Sequence, residues 1–337
     1  MIVITGITGL VGSHIASELL YRGESIRAVV RPEADTYFVR RVLSFYHANA
    51  GELFNRIEFV NGDVLRYDSL LDAFDGADMV VHAAGMVSFD PSEREKVIST
   101  NVTGTANVVN ACLECKVKQL GYVSSVAAVG NAADGEMVTE TTPWENSGKN
   151  SGYSVSKFHA ELEVWRGVQE GLHAVIVNPS IIIGPGHWDK GSSSIISAVY
   201  SGIRFYTTGT MGYVDVRDVS HCLIALLDKK ISGQRYILNS ENCSYHDVFT
   251  YAARSMGVKE PSIQAPRWLV KFASVLDWLA SLFGKQRQIT SETSKTAFDV
   301  SCFSNEKILN ELEGFQFIPV SRSLTETAAL FLRQVER

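Results

Sequence analysis

The chain is short of several things, and each shortage narrows what it can be. It has 5 cysteines in 337 residues, an odd and modest number. That points to a reduced compartment rather than a disulfide framework. It has no basic excess: 31 Lys and Arg stand against 37 Asp and Glu, a net charge of −6. A general nucleic-acid binder would carry a basic face instead. With 8 prolines, no low-complexity tract and no fixed-period repeat, disordered, fibrous and repeat organisations are set aside. The most apolar late stretch, Trp268 to Phe283, is interrupted by Lys271 and Asp277, so it makes a poor membrane span. The start, Met1-Ile2-Val3-Ile4-Thr5, lacks the basic region of a signal peptide and runs straight into glycines. A cytoplasmic protein is expected. Cys112 and Cys115 form a C-x-x-C inside a helical run, Val108 to Lys116, with no second Cys or His pair. Two small helix residues are the reading, and no metal is expected.

What is present is an ordinary globular composition, 45% hydrophobic and 20% charged. The length exceeds a typical single domain and predicts two. Short apolar runs at Ile2–Thr5, Ser25–Val30, Arg56–Val60, Met79–Ala83, Gln119–Ser124 and His173–Val177 read as strands. Helical runs lie between them: Val11–Tyr21, Asp68–Phe74, Ser92–Cys115 and Tyr153–Gly171. Strands that alternate with helices and are apolar on both faces predict a doubly wound parallel α/β sheet. After Asn178 the pattern loosens, although Tyr213–Val216 and Tyr236–Leu238 read as further strands of the same sheet. The division expected is a dinucleotide-binding domain over 1–177 with about 212–240, and a smaller, mostly helical substrate region over 178–211 and 241–337.

Thr5-Gly6-Ile7-Thr8-Gly9-Leu10-Val11-Gly12 follows the first strand and opens a helix. In such a turn the first glycine permits the sharp bend, the second lets a pyrophosphate approach, and the third lets helix and strand pack closely. The helix start offers free N–H groups and the positive dipole end to phosphate. A purely structural glycine turn is the alternative. The second strand ends Val29-Val30-Arg31-Pro32, with no acidic residue to accept from a ribose 2′-OH. Arg31 can meet a 2′-phosphate instead, so NADP(H) is preferred, with NAD(H) kept as the other choice and Arg40 and Arg41 as helpers. Asp63 and Val64, after the third strand, are placed at the adenine. Ala83, Ala84 and Gly85, after the fourth, let the backbone lie against the cofactor.

Tyr153 and Lys157 are four residues apart, so on a helix they share one face. A neighbouring ammonium favours the phenolate and brings a tyrosine toward useful acid/base work. Ser125 ends the preceding strand, where ligands of such sheets bind, and can donate to a substrate carbonyl; Ser124 is the adjacent choice. Met86-Val87-Ser88-Phe89 and Ile181-Ile182-Ile183 read equally well as an apolar substrate wall or as core. Pro266–Lys285 is amphipathic, with Trp268, Leu269, Phe272, Val275 and Leu276 at helical spacing. A helix capping the substrate pocket is preferred over an interfacial membrane helix.

Taken together, Gly6/Gly9/Gly12, Asp63-Val64, His82-Ala83-Ala84, Asn101-Val102-Thr103-Gly104-Thr105, Ser125 and Tyr153-x-x-x-Lys157 resemble, in order, the motifs of the extended short-chain dehydrogenase/reductases, the NAD(P)-dependent epimerase/dehydratase superfamily. Asn178-Pro179-Ser180, Gly184-Pro185-Gly186 and Val214-Asp215-Val216-Arg217-Asp218-Val219 resemble its later motifs. The resemblance implies a Rossmann-type sheet and a catalytic set of Ser125, Tyr153 and Lys157. It adds Asn101 as a supporting residue and Pro179 at the cofactor. It also implies a homodimer built on the helices at 92–115 and 153–171. Val126-Ala127 stand where the family's sugar-nucleotide dehydratases carry an acidic pair, and Arg31 stands where its NAD-using epimerases carry an acid. The dihydroflavonol-reductase and 3β-hydroxysteroid-dehydrogenase branch fits better. That implies hydride transfer between nicotinamide and a carbonyl or secondary alcohol of a small, apolar substrate. A sugar-nucleotide epimerase, with Arg204 or Arg217 holding the diphosphate, and a non-catalytic dinucleotide sensor are the competing readings.

Overall fold

The computed structural model describes residues 1–336 apart from 134, 147–149 and 271–296. Its strands are β1 (Ile2–Thr5), β2 (Ile26–Val30), β3 (Ile57–Asn61), β4 (Met79–His82), β5 (Gln119–Val123), β6 (Ala174–Pro179), β7 (Ile181–Ile183), β8 (Phe205–Tyr206), β9 (Thr210–Asp215), β10 (Gln234–Leu238), β11 (Glu241–Ser244) and β12 (Ile263–Gln264). Its α-helices are α1 (Leu10–Tyr21), α2 (Tyr37–Tyr46), α3 (Ala50–Asn55), α4 (Tyr67–Phe74), α5 (Arg94–Ile98), α6 (Gly104–Glu114), α7 (Gly152–Gln169), α8 (Ser194–Tyr200), α9 (Val216–Asp228), α10 (Tyr245–Met256), α11 (Glu306–Glu311) and α12 (Val320–Val335).

A seven-stranded sheet in the order β10-β6-β5-β4-β1-β2-β3 forms the centre, and every pairing in it is parallel. The strand order reverses between β1 and β4, so a crevice opens beyond their carboxyl ends. The strands are apolar throughout because both faces are covered. One apolar cluster joins Ile4, Ile15, Leu19, Val219 and Leu223 under α1 and α9. The other joins Val3, Leu70, Val108, Leu120 and Val164 under α4, α6 and α7. This is the Rossmann-type architecture expected.

Three expectations need correction. Tyr213–Val216 does not join the central sheet. It lies mostly in β9, which pairs with β7 and antiparallel with β11 in a separate three-stranded sheet, while β10 takes the place beside β6. Val216 begins α9, because Asp215 caps that helix by accepting from the Arg217 N–H at 2.8 Å. The run 92–115 is not one regular helix: a short 3-10 turn and α5 lead into a π-turn at Ser99–Thr103 before α6. Ile181–Ile183 is core rather than substrate wall. Ile183 packs with Ile196, Val199, Val248 and Leu324, and Ile182 packs against the cluster beneath α1.

Candidate active site

The crevice is built at the β1 and β4 ends first. Gly6 has φ +78°, a conformation side chains resist, and a Cβ there would sit 2.4 Å from the Ala84 nitrogen. A Cβ on Gly12 would sit 2.3 Å from the Gly6 oxygen. The glycines therefore let α1, the turn and the end of β4 collapse onto one another. Gly9 is exposed and is the N-cap of α1, with no side chain capping the first turn. Thr8, Leu10 and Val11 flank this opening, half-buried. An uncapped helix start behind an open glycine, with Ala83–Gly85 alongside, is a cradle that fits a dinucleotide pyrophosphate.

One residue unremarked in the sequence, His187, lies over this turn. It comes against the Thr8 backbone, and its ring stacks on Phe38 at 3.9 Å and 14°. The Arg41 guanidinium also lies over the Phe38 ring, 5.0 Å from its centroid. Arg31, at the end of β2, is exposed and makes one loose contact to Glu33 at 3.7 Å. Arg40 is exposed and lies over the Tyr37 ring. Asp63 spends more on its own turn than the sequence suggests. Its Oδ1 accepts from the Leu65 N–H at 2.9 Å, and its N–H donates to Ser69 Oγ at 3.1 Å. Val64 packs against Gly104, and Pro179 ends β6, buried.

The β5 end and α7 carry the second half. Ser151 caps α7 by accepting from the Ser154 N–H at 2.9 Å. Ser154 Oγ donates to Ala127 O at 2.6 Å, and Ser125 Oγ accepts from the Ala127 N–H at 3.2 Å. The turn after β5 and the first turn of α7 are thereby tied together. Ser125 Oγ lies close enough to the Tyr153 phenol to hold its pKa down in part. Ser124, by contrast, is buried, its hydroxyl turned from solvent. Lys157 is buried one turn further along α7, and its Nζ donates to Val123 O at 3.1 Å.

Asn101 lies in the π-turn, the kind of helix irregularity that often marks a functional position. Its side chain grips the loop after β4 from both sides. Oδ1 accepts from the Met86 N–H at 2.7 Å and Nδ2 donates to Met86 O at 2.9 Å. Nδ2 also donates to Ser156 Oγ at 2.9 Å, beside Tyr153 and Lys157. Asn101 is thus a clamp between that loop and α7 rather than a helix cap. His82 adds a second tie. Thr105 Oγ1 donates to Asn101 O at 2.6 Å and so accepts from His82 Nε2, while His82 Nδ1 accepts from Thr5 Oγ1 at 2.7 Å. Burial, then the nearby Lys157 charge, pushes His82 down to about 3, so it stays neutral.

The Tyr153 phenol is held above its ordinary value by burial, and the nearby Ser125 hydroxyl only partly offsets that. Lys157 Nζ is turned to Val123 O. Lys157 itself is pushed down to about 8 by burial, with Glu161 opposing.

On the substrate side, Phe89 meets the Tyr153 ring edge-on at 5.7 Å and is 38% exposed, with Val87 61% exposed nearby. The stretch 266–285 lies outside the described residues beyond 270. Arg217 is not a free cation for a diphosphate: it forks onto Asp215 at 2.8 and 2.7 Å and pairs with Glu326 at 2.6 Å. Arg204 is exposed. Among the described residues, no helix is long and apolar enough to cross a membrane, and no group of three His, Cys, Asp or Glu could hold a metal. Cys112 is buried and Cys115 half-buried at the end of α6, both as free thiols.

A parallel sheet in this strand order, a glycine turn into α1 and a Ser125–Tyr153 pair beside Lys157 define an extended short-chain dehydrogenase/reductase. The chain belongs to the NAD dependent epimerase/dehydratase family, whose sequence model matches residues 2–239. It is similar to a sterol demethylase protein B of Methylococcus capsulatus, 27% identical over 81% of this chain and 80% of that one. A putative dihydroflavonol 4-reductase of Synechocystis sp. is 28% identical over 92% of this chain and 88% of that one. Among solved structures, that of gox2253 superposes with a TM-score of 0.81 at 33% identity, covering 99% of this chain and 98% of the other.

Proposed function

We propose that the protein is an NADP(H)-dependent oxidoreductase that moves hydride between nicotinamide and a carbonyl or secondary alcohol of a small, apolar substrate. The observation that carries this is the juxtaposition of Ser125, at the end of β5, with Tyr153 and the buried Lys157 on one face of α7. A bound nicotinamide supplies the hydride. Everything else falls to the chain. Ser125 Oγ donates to the carbonyl oxygen and fixes its direction. Tyr153, kept protonated by burial, delivers the phenol proton to that oxygen as charge develops on it. Lys157 holds positive charge beneath the phenolate that remains. Asn101 keeps the loop of Met86 in register with α7. Phe89 and Val87 present apolar surface to the substrate.

The exposed Arg31 side chain, held only loosely by Glu33 at 3.7 Å, supports the NADP(H) preference. The locked Arg217 weakens the epimerase reading. Intact Ser125, Tyr153 and Lys157 weaken the sensor reading. We further read residues 1–177 with about 212–240 as the cofactor part and the remainder as the substrate part, in a homodimer formed through α5–α6 and α7. Light scattering tests the dimer, and a monomer refutes it. The test of the function is Tyr153→Phe. Wild-type turnover on a panel of ketones, aldehydes and nucleotide sugars is followed at the nicotinamide absorbance. The variant is expected to lose nearly all of it while binding NADPH as before. Full activity in the variant overturns the proposal.

A further inference from the structure

The hydroxyl of Ser125 is useful only if the turn that carries it is held still, and the fold holds that turn from two sides. The β5–β6 ladder ends where the Ser124 N–H donates to Val177 O at 2.8 Å. Beyond it the chain leaves β5 for the turn at 126–128, closed by the Ala128 N–H donating to Ser125 O at 3.0 Å. From α7, Ser154 fastens this turn through Ala127 O at 2.6 Å. From β6, the fastening is Asn178. It is fully buried, and its Nδ2 donates to the same Ser125 O at 2.9 Å. The second Nδ2 hydrogen goes to the Glu161 carboxylate on α7, which Arg235 of β10 holds at 3.3 Å. Arg235 in turn donates Nε to Glu140 O at 2.9 Å. Both partners of Nδ2 are acceptors, so the amide has one orientation. That orientation leaves Asn178 Oδ1 buried without a partner among the described residues. An unmet buried acceptor costs stability and calls for a reason beyond packing.

We propose that Asn178 is a positioning residue for Ser125: an amide, fixed by Glu161 and Arg235, that pins the Ser125 carbonyl and so aims the Ser125 hydroxyl. The inference rests on the catalytic reading above. Ser125 Oγ already accepts from the Ala127 N–H at 3.2 Å, so its own hydrogen is left to donate. The direction of that hydroxyl is set by the backbone on either side, which Ser154 holds at Ala127 and Asn178 holds at Ser125. Without Asn178 the turn keeps its own closing bond and its tie to α7, but it can swing away from β6. The fold then survives, and what is lost is the placement of one hydroxyl against the substrate oxygen. A misplacement of about 1 Å is enough to cost a large factor in rate.

The test is a double-mutant cycle of Asn178→Leu, which keeps the volume and removes both donors, with Ser125→Ala. Turnover is measured per bound NADPH, so that unfolded protein does not enter, on the ketone or aldehyde of the panel above that the wild type reduces fastest. Asn178→Leu should lower kcat about tenfold or more and leave KM and the NADPH Kd within about twofold. In the Ser125→Ala background the same change should cost less than about twofold, because the group it positions is gone. A purely structural role gives a different pattern: kcat per bound NADPH unchanged, or losses that multiply in the double variant. Either result overturns the proposal. Should Asn178→Leu not bind NADPH, Asn178→Ser, too short to span both acceptors, takes its place in the cycle and the same outcomes decide. Ser125→Ala as active as wild type, or no member of the panel turned over, removes the catalytic reading and this proposal with it. Ser125→Ala impaired beside an unimpaired Asn178→Leu removes this proposal alone.

Discussion

The glycine turn allows one sharp experiment, because its glycines are glycines for different reasons. An alanine at 12 would place Cβ 2.3 Å from Gly6 O, 2.8 Å from Gly6 C and 3.0 Å from Ile7 Cα, all backbone. None of these atoms can swing aside, so α1 must back away from the turn by about 1 Å. That helix is packed through Ile15, Leu19 and Leu20 beneath the sheet, so the retreat also disturbs the core. Overpacking of this kind costs about 1–3 kcal/mol. The unfolding entropy grows with length, so for a chain of 337 residues the midpoint should drop by only a few degrees, at roughly 1–2 °C per kcal/mol. An alanine at 9 is different. Its backbone is extended, φ −89° and ψ 169°, and its Cβ meets only Gly6 O at 3.3 Å. Stability should stay within about 0.5 kcal/mol. The methyl, however, stands in the opening where a phosphate must reach the first N–H groups of α1. The Kd for NADPH, read by quenching of protein fluorescence, should rise about tenfold or more, which is about 1.4 kcal/mol. Gly9→Ala binding NADPH like wild type would remove the pyrophosphate from this turn. Gly12→Ala melting like wild type would show that the close approach of helix and turn is not maintained in solution.

Arg31→Ser should weaken NADPH binding while leaving NADH binding nearly unchanged; an unchanged ratio of the two affinities would remove Arg31 from the 2′-phosphate. Asp215→Ala strips α9 of its cap and leaves the Arg217 fork without its main partner, which should cost about 3–5 kcal/mol in chemical unfolding; a loss below about 1 kcal/mol would refute that role. Asp218, buried beneath the Ile318 N–H it accepts from, is pushed up to about 7 by burial. The folded protein therefore holds a proton there that the unfolded chain releases from about pH 4 upward, and this group's contribution to stability falls as pH rises toward 7. Asp218→Asn escapes that loss, so its Tm relative to wild type should improve between pH 5 and pH 8; a constant difference would contradict the shift.

Much of the site could be read in the sequence because it is local. The turn from β1 into α1 needs a residue at positive φ and two close approaches within seven positions, so Gly6, Gly9 and Gly12 announce it. Tyr153 and Lys157 share a face by helical period alone. Strands buried on both sides are continuously apolar, which made β1 to β6 legible to within a residue or two. The same reasoning stops where a contact joins distant segments. Arg217 has the composition of a diphosphate ligand, and only the docking of α12 places Glu326 against it. The strand at Thr210–Asp215 carries the apolar pattern of a central strand, but the edge of that sheet is filled by β10. His187 reaches Thr8 and Phe38 only once the chain after β7 folds back over the glycine turn. Glu161 is the clearest case. On its own helix it is one more glutamate a turn past a lysine, and a surface pair would be the ordinary reading. Its burial, its clamp from Arg235 on a strand 74 residues away and its link through Asn178 to Ser125 exist only in the packed molecule. Spacing and backbone conformation are properties of short segments and survive in the sequence. Burial and charge pairing belong to the assembled core, and they decide what Tyr153 and Lys157 can do.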